Sequence, residues 1–111
     1  MSGHPPKPGS LQISSALVDG AVRVSLQGEL DLASAPRMED HFAAIDAQAP
    51  ARVVVDLDGL EFIDSSGLRM LLLADARARE HGYEFVLLAG CESVQRVFEM
   101  TGALDILRFE S

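Results

Sequence analysis

The sequence predicts an α/β domain with a mixed sheet, because apolar segments typical of strands alternate with segments that have the 3.6-residue period of helices. A hairpin signal opens the pattern, and two later apolar strands are each followed by a helix, so the later strands are expected to run parallel. The 111 residues suffice for one hydrophobic core. We therefore expect a single domain over residues 11–111, with helices packed against the sheet.

The first ten residues differ in composition from the rest of the chain. Residues 1–10 contain three prolines, two glycines and two serines, and almost nothing apolar. Such a segment cannot bury enough apolar surface to offset the entropy of ordering it. We expect it to be a flexible tail.

The first two strands are predicted as a hairpin. Residues 11–17 and 22–26 flank Asp19 and Gly20, a dipeptide that accepts the positive φ angles of a tight turn. Apolar and polar residues alternate after the turn, so the second strand should have one covered face.

A helix is expected to follow this hairpin. Ser34 is a candidate N-cap, and Pro36 is tolerated in the first turn. Apolar residues then recur at helical spacing, and Pro50 lies beyond the end of the helix. These core candidates are Met38, Phe42 and Ile45.

The second half of the chain predicts two more strand–helix pairs. Residues 52–57 form a nearly continuous apolar run, which indicates a central strand covered on both faces. A helix rich in Leu and Ala should extend from Ser66 to about His81, with Gly82 at its C′ position and its Leu71 to Ala74 run in the core.

A buried strand at residues 84–89 and a third helix ended by Gly102 complete the pattern. Residues 106–109 are open to two interpretations, a short edge strand or a last helical turn.

Charge and composition exclude several classes of function. Nine Lys and Arg against seventeen Asp and Glu give a net charge of −8, the wrong sign for direct binding of nucleic acid or of an anionic membrane surface. Cys91 has no second cysteine to pair with. No apolar run approaches the ~20 residues of a membrane span, and the amino end does not resemble a signal peptide. We expect a cytoplasmic protein without membrane insertion.

The junction between residues 55 and 68 carries the most information about function. An apolar strand runs into Asp64, Ser65, Ser66 and Gly67 at the predicted start of a helix. Unpaired backbone N–H groups and the helix dipole could accommodate a phosphoryl group on Ser65 there. The alternative is that Ser65 and Ser66 simply cap the helix, the usual role of serine at such a position. Asp31 could lie nearby, because loops gather at the carboxyl ends of parallel strands.

Enzymatic interpretations have little support in the sequence. Ser65 to Gly67 give half of a nucleophile elbow, but Ile63 stands where the first glycine should be. There is no phosphate-binding loop with its lysine, and Asp56 and Asp58 are better explained as strand-end and turn residues than as metal ligands. His41 and His81 are expected at the surface rather than as a general base. We expect a protein that is not an enzyme and needs no cofactor or metal.

Three segments resemble STAS domains of the anti-sigma factor antagonist family. They are Gly-Glu-Leu-Asp at 28–31, Val-Val-Val-Asp-Leu at 53–57 followed by Asp-Ser-Ser-Gly-Leu at 64–68, and Phe-Glu-Met-Thr-Gly at 98–102. The resemblance implies a STAS-like fold and an antagonist that binds an anti-sigma factor serine kinase and so releases the sigma factor. Phosphorylation by that kinase would end the binding, and a serine phosphatase would restore it.

Carried over by position, the resemblance makes Ser65 the phosphoacceptor and places Asp31 and Asp64 on the recognition surface, which Asp58 and Glu61 could make acidic. For Asp31, capping of the next helix remains an equal alternative. We expect Ser66 and Gly67 to contribute to partner binding, although capping is also open for Ser66. We also expect exposed apolar surface near Leu30, Leu32 and Phe62, which would suit a partner interface.

Arg69 stands where classical antagonists often have a second glycine. It lies four residues after Ser65, so its guanidinium could reach a phosphate on that serine. The resemblance leaves two other functions open: a STAS scaffold without a phosphorylation cycle, and a transporter-associated STAS subunit.

Overall fold

A computed structural model describes residues 10–110 of the chain. Its elements are β1 Leu11–Val18, β2 Ala21–Leu30, α1 Ala35–Asp46, β3 Arg52–Ile63, α2 Ser65–His81, β4 Glu84–Leu88, α3 Glu92–Thr101 and β5 Arg108–Glu110, with a 3-10 turn at Ala103–Asp105. The expected tail lies outside the described residues except for Ser10.

Five strands form one sheet in the order β1-β2-β3-β4-β5. The first two strands are antiparallel, and every later neighbouring pair is parallel. The three α-helices pack against this sheet. The predicted fold class, a STAS-like mixed sheet with an N-terminal hairpin, is confirmed.

A two-residue turn joins β1 to β2. Asp19 has a φ of 51° and Gly20 a φ of 82°, the left-handed values that a type I′ turn requires. The register continues without a shift from the Val18–Ala21 pair to the far end of β1. The Asp-Gly signal therefore predicted both the turn and the pairing.

The hydrophobic core lies on one face of the sheet. Alternate residues of β3, such as Val55 and Leu57, are buried in one cluster with the apolar faces of all three α-helices. Val54 and Asp56 lie on the other face and are only half-buried. Asp56 there forms an ion pair of 2.9 Å with Arg23 of β2. The prediction that β3 is covered on both faces was wrong, because the described helices all pack on the same side.

Strand β3 is also longer than predicted and irregular near its end. It continues past Leu57 to Ile63, so Asp58 lies in the strand and not in a turn. The register with β2 shifts twice along this stretch, and each shift gives β3 one extra residue, as a β-bulge does. After the second shift, Glu61 and Phe62 are both exposed while Ile63 returns to the core.

The helices begin and end close to the predicted positions. Helix α2 is followed by Gly82 with a φ of 80°, and α3 by Gly102 with a φ of 82°, left-handed conformations that glycine adopts without a steric penalty. Of the two interpretations left open for residues 106–109, the edge strand is confirmed, since β5 begins at Arg108, and the 3-10 turn ends before this segment, at Asp105. The predicted core residues of α1 are buried; they are Met38, Phe42 and Ile45.

Asp46 joins the end of α1 to the end of α2 and to the segment before β4, at the end of the sheet where β3 and β4 begin. The Asp46 Oδ1 accepts hydrogen bonds of 2.8 Å from His81 Nδ1 and from the Tyr83 hydroxyl. The hydrogen bond from His81 is the main reason that the pKa of Asp46 lies below its ordinary value, and Tyr83 adds to the effect.

This lowered pKa predicts an acid-sensitive contribution to stability. Because folding lowers the pKa of Asp46, the stabilisation is present above the unfolded-state pKa and is lost as the pH falls through the folded-state pKa. The urea midpoint of the wild type should therefore fall more steeply between about pH 5 and pH 3 than that of Asp46→Asn.

Urea unfolding followed by circular dichroism at both pH values measures this difference. Glu80→Gln is the matched control, since its exposed carboxylate lies 3.5 Å from the same histidine, and it should follow the wild type. Equal slopes for the wild type and Asp46→Asn would contradict the assignment.

Candidate functional site

Two loops meet where β2 and β3 reach their carboxyl ends. One loop joins β2 to α1 and contains Asp31 and Leu32, and the other is the single residue Asp64 between β3 and α2. The Asp64 backbone N–H donates to the Leu30 carbonyl across 3.2 Å. The two loops that the sequence predicted to be neighbours are thus in direct contact.

The Asp64 side chain serves both loops at once. Its Oδ1 accepts a hydrogen bond of 3.0 Å from the Gly67 backbone N–H, and its Oδ2 accepts one of 3.1 Å from the Leu32 backbone N–H. The first bond caps helix α2, because it satisfies an N–H group that has no partner within the helix. The second fixes the β2–α1 loop to the start of α2.

Gly67 allows the first turn of α2 to lie directly against the end of β2. A Cβ atom on Gly67 would come within 2.4 Å of the Leu30 carbonyl oxygen and 2.7 Å of the Leu30 Cγ. No side chain fits this space without a shift of the backbone. Gly67 is buried, so the structure gives it a packing role beneath the surface rather than an exposed position on it.

Neither serine of the junction caps the helix. Ser65 is the first residue of α2 and is exposed, whereas the N-cap position and its hydrogen bond belong to Asp64. Within residues 10–110 the hydroxyls of Ser65 and Ser66 make no hydrogen bond. The capping interpretation of the two serines was wrong, because the preceding aspartate has the extended backbone of an N-cap and reaches the required N–H group.

Asp31 and Ser34 form a buried hydrogen-bonded turn beside Asp64. The Asp31 Oδ1 accepts from the backbone N–H groups of Ala33 and Ser34, each across 3.0 Å. Ser34 stands at the N-cap of α1 but makes no capping bond with its side chain. Its hydroxyl instead donates to the Glu29 carbonyl and accepts from the Asp31 N–H. Asp31 therefore shapes the loop that presents Leu32.

Carboxylates gather behind this loop. Burial, followed by the nearby charges of Asp31 and Glu61, raises the pKa of Glu29. Like charges at short range disfavour ionisation of each neighbour. Of the carboxylates expected at this surface, Asp58 and Glu61 are exposed, whereas Asp64 is half-buried and Asp31 is buried.

Exposed apolar side chains surround the two loops. Leu32 is 74% exposed, Phe62 49% and Leu73 47%, and we call these three residues the apolar rim. Leu32 and Phe62 line a shallow depression of about 380 Å³ together with Asp64. Exposed apolar residues that cluster in this way are typical of protein-interaction sites.

A second depression lies between α1 and α2. It has a volume of about 300 Å³, and its lining includes Leu32, Ser66, Arg69 and Leu73. Arg69 is exposed, and within residues 10–110 its guanidinium makes no ion pair or hydrogen bond. Of the residues predicted to bind a partner, Ser66 and Arg69 therefore share one concave surface.

Two expectations about apolar residues need correction. Leu30, which we expected to be exposed near Leu32 and Phe62, is fully buried, because it packs beneath the first turn of α2. Leu73 lies in a run expected to be core but faces outward. Its spacing of seven residues from Ser66 and four from Arg69 is the signal that places it on their side of the helix.

The described residues contain no arrangement typical of a metal site or a membrane span. In residues 10–110 no group of three or more His, Cys, Asp and Glu side chains is placed to hold a metal ion. Within the same part of the chain, no helix is long and apolar enough to cross a membrane.

Comparison with known proteins agrees with this architecture. The family model described as "Mlab, STAS domain" matches residues 13–108. The chain belongs to the STAS domain family. BtrV of Bordetella bronchiseptica, provisionally named an anti-sigma factor antagonist, is 35% identical over 96 residues, which cover 86% of this chain and 83% of BtrV. The anti-sigma-B factor antagonist of Staphylococcus aureus is 24% identical over 98 residues, 88% of this chain and 91% of the relative.

Solved structures show the same fold. A crystal structure of an anti-sigma factor antagonist from Mycobacterium paratuberculosis superposes on this STAS domain with a TM-score of 0.83 at 29% identity, covering 95% of this chain and 89% of the other. The Bacillus protein SpoIIAA, solved in its phosphorylated form, has a TM-score of 0.68 at 21% identity, with 92% of each chain covered. These relatives are named as regulators and not as enzymes, in agreement with the expectation from the sequence.

The separate roles of Asp64 and Ser65 in this STAS domain predict different effects on stability. Asp64→Ala removes the helix cap and the bond to the Leu32 N–H, so the free energy of unfolding should fall by about 1–2 kcal/mol. Ser65→Ala removes an exposed hydroxyl without a partner and should stay within about 0.5 kcal/mol of the wild type. Urea unfolding of the three proteins measures both values. A Ser65→Ala cost as large as that of Asp64→Ala would show that the serine has a structural role.

Proposed function

We propose that this STAS domain is an anti-sigma factor antagonist that works by partner switching. In its unphosphorylated form it binds an anti-sigma factor serine kinase and so releases the sigma factor. Phosphorylation of Ser65 ends the binding, and a serine phosphatase restores it. These partners act on transcription, so we place the protein in the cytoplasm.

The observation that carries the proposal is the position of Ser65. Its hydroxyl is exposed at the first residue of α2, while Asp64 alone caps the helix. A kinase can therefore modify Ser65 without the loss of any hydrogen bond within the described fold. A serine that capped the helix would have to break that bond before it was modified.

The helix start also suits the product of the reaction. A phosphoryl group on Ser65 would lie near the positive end of the α2 dipole. Arg69, one turn further along the helix and without a partner in residues 10–110, supplies a guanidinium within reach of such a group. The fold should thus tolerate the phosphate, and the effect of phosphorylation should be on binding.

The surface around Ser65 explains how binding could be lost. Leu32, Phe62 and Leu73 form the apolar rim. A bound partner would cover these side chains and displace the water around them. Phosphorylation adds about −1.5 to −2 charges and a hydrated group at the edge of that contact. Since each ~1.4 kcal/mol changes a dissociation constant tenfold, a few kcal/mol of repulsion and desolvation suffice to release the partner.

The first experiment tests Ser65 as the phosphoacceptor. The wild type, Ser65→Ala and Ser66→Ala are incubated with ATP and lysate of the source cell, and intact mass and peptide fragmentation are recorded. We expect one phosphoryl group on the wild type and on Ser66→Ala, and none on Ser65→Ala. Ser66→Ala is the matched control, since its hydroxyl is one residue away and likewise makes no hydrogen bond within residues 10–110.

The outcome also decides between the proposed function and its alternatives. Modification at Ser65 identifies a kinase substrate, and the kinase itself is then the candidate anti-sigma factor. No modification, in a lysate that phosphorylates a control substrate, would overturn the switch. It would favour a scaffold without a phosphorylation cycle or a transporter-associated subunit, which co-purification with an ATPase and membrane proteins would identify.

The effect of Arg69 is a separate prediction. Arg69→Gly removes the free guanidinium beside the second depression and opens the helix surface to closer approach. We expect a change of several-fold in the rate of Ser65 phosphorylation or in affinity for the kinase, with stability lowered by about 1 kcal/mol because glycine disfavours a helix. Arg69→Ala separates the two effects, since it removes the charge but keeps the helix propensity. Unchanged kinetics and affinity in both variants would show that Arg69 has no role at the site.

A further inference from the structure

Strand β1 is an edge of the sheet, and among residues 10–110 it has none of the usual protection of an edge strand. Its eight residues, Leu11–Val18, pair with β2 on one side only. The strand contains no charged residue and no proline, and its register with β2 has no bulge. Proteins usually block edge strands with these devices, because unpaired backbone groups there can pair with another chain.

The hairpin geometry shows which backbone groups of β1 point away from β2. In a two-residue hairpin, the residues flanking the turn, here Val18 and Ala21, form a hydrogen-bonded pair, and hydrogen-bonded pairs then recur at every second residue. The N–H and C=O groups of Ile13, Ser15 and Leu17 therefore point outward. The Leu11 carbonyl also points outward, and it accepts a hydrogen bond from the Arg37 side chain of α1 instead of from β2.

We propose that this edge binds the β1 strand of a second copy of the chain, antiparallel and with the two-fold axis at Ser15. In this register Ser15 pairs with Ser15, and Ile13 of each copy pairs with Leu17 of the other. All three pairs are of the hydrogen-bonded kind, in which the two residues exchange both backbone bonds. The axis is perpendicular to the sheet, so the two sheets join into one with both cores on the same face.

The side chains fit the same register. Leu17 is 75% exposed, and the pairing places it beside the partly buried Ile13 of the second copy, where it loses contact with water. Asp19 comes opposite Leu11 of the second copy, whose carbonyl is held by Arg37. The contact therefore brings the Asp19 carboxylate of each copy towards the Arg37 guanidinium of the other copy. This charge complementarity favours a second copy over an unrelated extended peptide.

The proposed contact leaves the candidate functional site open. Ser65 follows β3 at the carboxyl ends of the parallel strands, whereas the pairing uses only the outer edge of β1. Because the two copies run antiparallel, their Ser65 residues would lie at opposite ends of the joined sheet. Self-association and phosphorylation can therefore be tested independently, and failure of one proposal does not imply failure of the other.

Sedimentation equilibrium of the full chain, from micromolar concentrations to about 1 mM, tests the association. We expect a reversible monomer–dimer equilibrium in the wild type and a rise of at least tenfold in the dissociation constant for Leu17→Lys. Met100→Lys is the matched control, since Met100 is 79% exposed on α3, away from the edge, and it should associate like the wild type. A chain that stays monomeric throughout, or a dimer lost in Met100→Lys but kept in Leu17→Lys, would overturn the proposal.

Disulfide trapping tests the register. In a Cys91→Ser background, Ser15→Cys places two thiols opposite each other at the axis, with Cα atoms about 5.5 Å apart, within the range that a disulfide spans. Oxidation should give a covalent dimer. Ser14 is also exposed, but in Ser14→Cys the Cα atoms of the two cysteines would lie roughly 8 Å apart, beyond that range. Trapping of both variants to the same extent, or of Ser14→Cys alone, would contradict the proposed register.

Discussion

The start of α2 depends on one carboxylate that makes two hydrogen bonds in different directions. An ionised aspartate is an acceptor only, with two oxygens, and Asp64 uses one oxygen for the Gly67 N–H and the other for the Leu32 N–H. The helix start and the neighbouring loop therefore cannot move separately. Glutamate has a longer side chain, and asparagine has only one carbonyl oxygen, so neither could make both bonds from the same backbone position.

This arrangement divides the junction into residues that hold the fold and residues that remain for a partner. Asp64 caps the helix, Gly67 permits its close approach to Leu30, and Asp31 closes the preceding turn. Ser65 takes no part in these contacts. The two irregularities of β3 complete the division, because they turn Phe62 outward while Ile63 returns to the core. The motif residues Asp64, Ser65 and Gly67 thus have physically different roles.

Local sequence predicted the parts of the fold that local interactions determine. The Asp-Gly turn, the helical spacing in α1 and the glycines after α2 and α3 all depend on the conformation of a few adjacent residues. Whether one or both faces of β3 are buried does not depend on adjacent residues alone, since a run of valines has the same β propensity in either case. The bulges near Phe62 result from pairing with β2, more than thirty residues earlier. No pattern within β3 alone could have revealed them.

The sequence predicted where the candidate site lies, but it did not predict which residue there caps the helix and which remains exposed. Aspartate and serine are both favoured at an N-cap, so Asp64, Ser65 and Ser66 were each chemically suited to the cap. The choice is made by the backbone, which is extended at Asp64 and helical from Ser65 onward. That choice constrains any switch at this position. Phosphorylation of Ser65 would break no hydrogen bond of the described fold, since its hydroxyl makes none there. We therefore expect a phosphate on Ser65 to act mainly on the interface with a partner rather than by refolding the domain.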